Sequence, residues 1–511
     1  MTLAQAIDAL KFKDDQIADL LAQAETQDRQ MKQLREQIAL LQRRIYGPRS
    51  EQYHPDQLFL ESLLKAGESE DPVEAEPTIP VKAGVRRKAR PHGRMKIPEH
   101  IERVDEVLDL PEEQKRDGDS GEALVKLREE TSEKLAWRPG QWYVRRFIRP
   151  VYVHPDRQSE KAGVYVQSMP DSPVEKCKAD NSVLAMVGVK KYVDHLPLYR
   201  QQQIFRREGI EVASSTLNAW AIEPILACEP LYEAFKADVL AREVIFTDDS
   251  PVKMLKEGLG RTKEARMWVY LGGCGPPHRF FDFTEDRRKE RPGNILADYT
   301  GFVHADAYSG YDHLFSNGGG IVEVGCWAHA RRKWDEALSS ARKESTEILL
   351  RIRELYKVEK AIRGKSPEVR LKVRQAESVP LLDKLYERLN EIPAERVVLP
   401  SSLLAKAIGY AINQREALYR YTTDGRLEID NNFAENAIRP LALGRKNFLF
   451  VGSPRGGKAC AMALTFLQSA KAVGVNPYEY LHDIYNRIMC HPVSRLHELL
   501  PAAWKRAREN R

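Results

Sequence analysis

The chain has 511 residues, enough for more than one core, since single cores stop growing at roughly 250–300 residues. Its 80 Lys and Arg against 74 Asp and Glu leave a net charge of +6, too mild an excess to argue for nucleic acid by itself. Six cysteines lie far apart without a C-x-x-C pair, which excludes a disulfide framework and a zinc-finger spacing. No apolar run reaches the roughly 18 residues of a membrane span, and no signal pattern opens the chain, so a reduced cytoplasmic protein is expected.

Residues 1–46 read as one coiled-coil helix. Between Leu3 and Ile45 there is no Gly or Pro, and Leu3, Ile7, Leu10, Ile17, Leu21, Ala24 and Met31 keep three- and four-residue steps before the register jumps to Leu34, Ile38, Leu41 and Ile45. Such a seam suggests self-association. Tyr46-Gly47-Pro48 stops the helix. Residues 47–98 are a helical tail and a charged linker, acidic from Glu68 to Glu76 and basic from Val85 to Lys96, too polar to fold alone.

Residues 99–175 form a small β-containing module, with Trp142-Tyr143-Val144 and Phe147-Ile148 alternating with arginine and followed by Val151-Tyr152-Val153. Residues 176–240 are helical. Leu198 to Arg207 is one helix, Gly209 a turn, and a second helix starts at Ser215 to Trp220 with Ser214 or Ser215 as its cap, in outline a helix-turn-helix. Basic clusters recur at Arg43-Arg44, Arg86-Arg87-Lys88, Arg145-Arg146, Arg287-Arg288-Lys289 and Arg331-Arg332-Lys333. Either these are solvated faces or they meet a polyanion, whose counterions each contact would release.

Residues 241–338 carry the chemistry. Val244-Ile245-Phe246-Thr247 is a buried strand ending on Asp248-Asp249. Strands from Arg266 to Leu271 and Arg279 to Phe283 follow, then a helical piece from Asn294 to Tyr299. A strand from Gly301 ends on Asp306, and a last strand runs from Ile321 to Val324 before a helix near Trp327. Three meander strands, then helix, strand and strand, is the order of a ribonuclease-H-like fold. An aspartate ending a buried strand is costly without compensation, and two of them suggest a cation, Mg²⁺ or Mn²⁺ for hard carboxylate oxygens. Glu435 is the best third carboxylate, in the first turn of a helix capped by Asn432. Two ions about 4 Å apart would orient a nucleophile and stabilise the leaving oxygen of a phosphodiester.

Cys326 and His329 lack two partners for zinc, and instead support the site or pack in the core. Gly444-Arg445-Lys446-Asn447 and Gly452-Ser453-Pro454-Arg455-Gly456-Gly457-Lys458 lack P-loop spacing, so ATP binding is rejected. Their composition fits a basic hairpin approaching a DNA backbone, which with the glutamate helix makes up residues 428–460.

The string Asp430-Asn-Asn-Phe-Ala-Glu435-Asn-Ala-Ile-Arg439-Pro-Leu-Ala-Leu-Gly444-Arg445-Lys446-Asn447 resembles the signature of the insertion sequence 66 family of transposases. So do Tyr192-Val-Asp-His195-Leu-Pro-Leu-Tyr-Arg200, Ala305-Asp306-Ala-Tyr308-Ser-Gly310-Tyr and Cys326-Trp-Ala-His329-Ala-Arg-Arg. The resemblance implies a multidomain α/β protein with a ribonuclease-H-like mixed-sheet core. It implies Asp248, Asp306 and Glu435 as the metal-binding catalytic triad, supported by His329, Cys326 and Asp249. It also implies a helical insertion at 339–427 and a C-terminal helical region at 461–511. The partners expected are double-stranded DNA, a second copy of the chain or a higher oligomer, and small accessory proteins of the same element, with nucleoid association when DNA is bound. Arg145, Arg146, Arg149, Arg439, Arg445, Lys446, Arg455 and Lys458 are the expected DNA contacts.

Two departures from the family stand out. Where its members usually carry a cysteine-based zinc module, this chain reads Arg116-Asp117-Gly118-Asp119-Ser120-Gly121 and His154-Pro155-Asp156-Arg157, so no zinc is expected. Asp249 stands where glutamate is more usual. The alternatives are a repurposed, non-catalytic DNA-binding protein or a structure-specific nuclease on the same fold.

Overall fold

The structure is a computed structural model that describes residues 97–116, 123–138, 140–153, 164–256, 260–316, 320–395 and 397–509. The expected coiled coil, almost all of the charged linker, and residues 117–122 and 154–163 of the module's two loops lie outside the described residues. No described helix is long and apolar enough to cross a membrane.

A first sheet is made by β1 (Arg103–Val107), β2 (Val125–Arg138), β3 (Gln141–Val153) and β4 (Val164–Val166). The β2–β3 hairpin is antiparallel and β1 lies parallel to β3 on its other side. Leu135, Val144, Phe147 and Val151 are buried, while charged residues pair across the strands. Glu133 faces Arg146, Glu130 faces Arg149, and Asp105 faces Arg146 in register, the opposite-charge pairing that stabilises neighbouring strands.

Four helices follow: α1 (Asn181–Tyr192), α2 (Leu198–Arg207), α3 (Ser214–Leu226) and α4 (Glu229–Leu240). The helix expected from Leu198 to Arg207 is found with those bounds, and Gly209 makes the turn with a φ of 78°, a conformation open to glycine. The expected serine cap is not found. Ala213 occupies the cap position of α3, without a side-chain hydrogen bond, because the helix begins one residue early and Ser214 and Ser215 fall inside it.

The second sheet has five strands: β5 (Val244–Leu255), β6 (Thr262–Gly272), β7 (Arg279–Thr284), β8 (Gly301–His304) and β9 (Ile321–Val324), in the order β7-β6-β5-β8-β9. The first three are antiparallel neighbours; β8 and β9 run parallel to β5. Two expectations need correction. The first strand does not end at Asp248 but continues to Leu255, since β6 pairs with it all the way to Leu255↔Thr262. The helical piece before β8 spans Glu290–Ile295 rather than 294–299, started by Pro292 in its first turn, where a missing N–H costs little.

After β9 come α5 (Trp327–Ala337), α6 (Arg342–Ile362), α7 (Val379–Glu395), α8 (Asn432–Phe448), α9 (Pro454–Ala472) and α10 (Pro477–Arg487), with shorter helices between. Helix α9 is buried along most of its length and packs on β7. Its small residues allow close approach, and Thr465 Oγ1 and Ser469 Oγ accept the Phe281 and Arg279 N–H groups, both at 2.9 Å. The edge strand is thereby covered, as sheet edges must be.

The expected basic hairpin is replaced by two helices. Gly444 to Asn447 belong to α8, and Pro454 to Lys458 start α9. Pro454 follows the Ser453 cap, whose Oγ accepts the Gly456 N–H at 3.1 Å, a strong helix start. By contacts the chain divides into two units. One, of Met95–Arg332, Leu350–Glu387 and Tyr410–Arg511, holds both sheets. The other includes Lys333–Leu349 and Arg388–Gly409, where Arg388 binds Glu347 at 2.9 Å and Glu395 at 2.6 Å.

Candidate active site

Parallel pairing sets the first two carboxylates side by side. The last β5–β8 partners are Phe246 and His304; Asp248 and Asp306 each lie two residues further on. Asp248 lies within β5 and Asp306 just past the end of β8, near enough that the charge of Asp306 bears on the Asp248 carboxyl. Beneath them His304 stacks on Phe246 with centroids 4.2 Å apart, and burial pushes its imidazole down to about 3, keeping it neutral.

The third carboxylate arrives on α8. The start of this helix is held at Asn431, whose N–H donates to Cys326 Sγ at 3.2 Å and whose Nδ2 donates to the Thr247 carbonyl at 2.8 Å. Asn432 is not the cap, contrary to expectation: Asn431 holds that position. The Asp430 carboxylate serves the first turn, accepting the Asn432 N–H at 3.1 Å, the Asn432 amide at 2.7 Å and the Tyr356 hydroxyl at 2.9 Å. Glu435, in that turn, lies with Oε1 3.7 Å from His329 Nδ1 on α5.

Asp248 is in an uncomfortable setting. Burial, then the charges of Asp306 and Glu435, push its carboxyl well above the usual carboxylate range. None of the three acids has a Lys or Arg ion pair among the described residues. Glu435 Oε1 and His329 Nδ1 are buried without a hydrogen-bond partner among the described residues. Orphaned buried atoms and crowded like charges are what a divalent cation would relieve, and the oxygen donors suit Mg²⁺ or Mn²⁺.

Asp249 points the other way. Its side chain is 2% exposed, bound by Arg266 at 3.0 Å and by Arg287 at 2.7 Å. Arg287 lies over the Tyr308 ring at 3.7 Å, and the Tyr308 hydroxyl donates to the Arg287 carbonyl. The Tyr308 N–H donates to Asp306 Oδ1 at 3.2 Å, across Ala307 at a φ of 57°. Asp249 thus braces Asp306 through Arg287 and Tyr308. Sequence reasoning missed Arg287, Tyr308 and Asn431 as positioning residues, although the Ala305–Gly310 and Asp430–Asn432 strings contain two of them.

Cys326, His329 and Glu435 form a trio with donor atoms within 4.8 Å of one another. The sulfur is fully buried, already accepts an N–H, and is pushed up to about 12 by burial. A neutral thiol is a poor zinc ligand; Cys326 instead fixes the helix that carries Glu435.

The basic residues fall into two groups. Arg145 is bound to Glu106 and Asp180, Arg146 to Asp105 and Glu133, and Arg149 to Glu130. Arg455 meets Glu223 and Lys458 meets Glu229, each at 2.5 Å, and Arg445 donates to the Pro251 carbonyl. Arg439 and Lys446, by contrast, are exposed on α8 and have no ion pair among the described residues.

These elements define a mixed α/β protein in which a buried acid on β5, Asp248, feels the charges of Asp306 and Glu435, with no Lys or Arg ion pair to any of the three among the described residues. Residues 176–459 match the family described as "Transposase IS66 family", residues 33–105 "Transposase C of IS166 homeodomain", and residues 465–502 "IS66 C-terminal element". The chain belongs to the IS66 family of transposases. It is similar to two Sinorhizobium fredii proteins that bear the names "Uncharacterized protein y4qI" and "Uncharacterized protein y4jD". The first is 32% identical, over 96% of this chain and 92% of that protein; the second is 33% identical, over 92% and 94%.

Proposed function

We propose that the chain is an active DNA transposase that binds the terminal inverted repeats of a bacterial insertion element, hydrolyses the phosphodiester at its ends and joins the freed ends to target DNA. The observation that carries this reading is the buried Asp248 carboxyl, pushed up by burial and by the nearby charges of Asp306 and Glu435, with no Lys or Arg ion pair to any of the three among the described residues. The strand order and directions support a ribonuclease-H-like core. Mg²⁺ or Mn²⁺, two ions in the full site, would supply the Lewis acidity that activates water or a DNA 3′-hydroxyl. The protein's own residues orient the donors: Asn431 and Cys326 fix Glu435, Asp249 with Arg287 and Tyr308 fixes Asp306, and His329 Nδ1 faces Glu435 Oε1 at 3.7 Å.

Arg439 and Lys446 are available for phosphates as they stand. Arg145, Arg146, Arg149, Arg455 and Lys458 must first exchange a carboxylate for a phosphate. Joining two element ends needs at least two DNA sites, so the working form is a homodimer or higher oligomer, acting in the cytoplasm on nucleoid DNA and aided by the element's accessory proteins.

Strand transfer tests this reading against its rivals. A pre-cut element end with a free 3′-hydroxyl is incubated with supercoiled plasmid, Mg²⁺ and the protein, with accessory proteins supplied. Joined product is expected. Cutting without joining favours a nuclease, and binding without either favours a repurposed DNA-binding protein.

A further inference from the structure

The loop that closes α8 presents two large apolar side chains to solvent. Leu449 is 65% exposed and Phe450 42% exposed, and Leu443, in the last turns of the helix, is 49% exposed. Contiguous exposed apolar groups usually mark a binding surface. These are held out by a rigid support. On the near side the Phe448 ring packs on Gly444, and the Lys191 ammonium lies 5.2 Å from that ring's centroid. On the far side Val451 is tied to β5, donating to the Lys253 carbonyl and accepting the Leu255 N–H, both at 2.9 Å. Leu449 itself sits at a φ of 49°, a left-handed conformation that a bulky residue adopts only when its surroundings impose it.

The surrounding charge selects the occupant. Arg439 and Lys446 on the outer face of α8 and Lys253 on β5 are exposed and have no ion pair among the described residues. An apolar tip flanked by available cations fits nucleic acid, with phosphates on the cations and base faces on the apolar groups. Apolar wedges of this kind enter between base steps and unstack them.

We infer that Leu449 and Phe450 form a wedge that enters the element-end DNA and unstacks a base step away from the cleavage site, an inference that rests on the DNA-transposase reading. Helix α8 supplies the ruler. From Glu435 to Leu449 the helix rises about 20 Å at about 1.5 Å per residue. That spans about six base-pair steps at about 3.4 Å each.

The test uses the full-length protein and element-end duplexes with 2-aminopurine at successive positions, read by fluorescence at saturating protein. Leu449→Gly suits the left-handed backbone and Phe450→Ala removes only an exposed ring, so the double variant should fold; its melting temperature checks this. Wild type is expected to raise fluorescence at one or two adjacent positions about six steps from the scissile phosphate. The double variant is expected to lose that rise and to bind about tenfold more weakly. A rise that persists in the variant overturns the wedge, as does cutting by wild type with no rise at any position. Loss of self-association at unchanged DNA affinity also overturns it, since the patch would then seat a second copy. A localised rise with wild type that neither cuts nor joins keeps the wedge and removes the transposase reading.

Discussion

Asp306→Asn is expected to lower Mg²⁺-dependent cleavage of element-end DNA about a thousandfold while leaving DNA affinity within about threefold. That loss corresponds to about 4 kcal/mol of barrier, the scale on which a bound metal stabilises transition-state charge. Glu435→Gln is expected to act likewise. Asp248→Asn should be equally inactive yet more stable without metal, because it removes a buried carboxylate that Asp306 and Glu435 crowd. Relief of about 1 kcal/mol raises the melting temperature by about 2–4 °C in a domain of roughly 150–250 residues. The same variant should lose most of the wild type's thermal shift with Mg²⁺. Cleavage assays and melting curves on one preparation check both. A variant that is inactive because it misfolds would melt lower, not higher.

Arg374→Ala is expected to cost about 3–5 kcal/mol, the usual result of stripping one partner from a buried ion pair. Arg374 is fully buried, in a wider helical turn just before α7. Its guanidinium holds both Glu359 oxygens at 2.7 Å and donates to the carbonyls of Tyr421 at 2.9 Å, Asp424 at 3.1 Å and Leu427 at 2.9 Å. The alanine variant leaves the Tyr421 and Asp424 carbonyls without this donor and Glu359 with only Arg370, 3.7 Å away, while Arg370 still donates to the Leu427 carbonyl at 3.0 Å. The melting temperature should fall by roughly 10 °C. Replacing Arg374 and Glu359 together by methionine should recover a good part of it. Residues 421–427 lead directly into Asp430 and Asn431, so the single variant should also lose cleavage activity at temperatures where it remains folded.

The strands of the second sheet were legible because β-branched and aromatic runs declare buried strands whatever their partners. The two aspartates drew notice because a carboxylate in or just past a buried strand needs compensation; Glu435 drew notice as a third carboxylate and through the family string around it, since an acid in a helix's first turn is favourable and signals nothing by itself. The end of β5 was not legible, since only the pairing with β6 carries it past Asp248. The glycines of the supposed hairpin misled because glycine has two uses. A Cβ at Gly444 would lie 2.6 Å from the Phe448 ring, and one at Gly457 2.4 Å from the Phe283 ring. They serve close packing inside helices, not a turn. The ion pairs of the basic residues were not legible: Arg455 and Lys458 meet Glu223 and Glu229, partners more than two hundred positions away that no local reading of charge reveals.

Iron-directed self-cleavage tests the central claim, that Asp248, Asp306 and Glu435 together hold the catalytic cation. Fe²⁺ replaces Mg²⁺ in the full-length protein, ascorbate and peroxide generate radicals at the bound ion, and the backbone breaks are mapped by mass spectrometry. The expected result is breaks beside all three residues, suppressed by excess Mg²⁺ and absent from Asp306→Asn. Breaks confined to Cys326–His329, or unaffected by Mg²⁺, would contradict it.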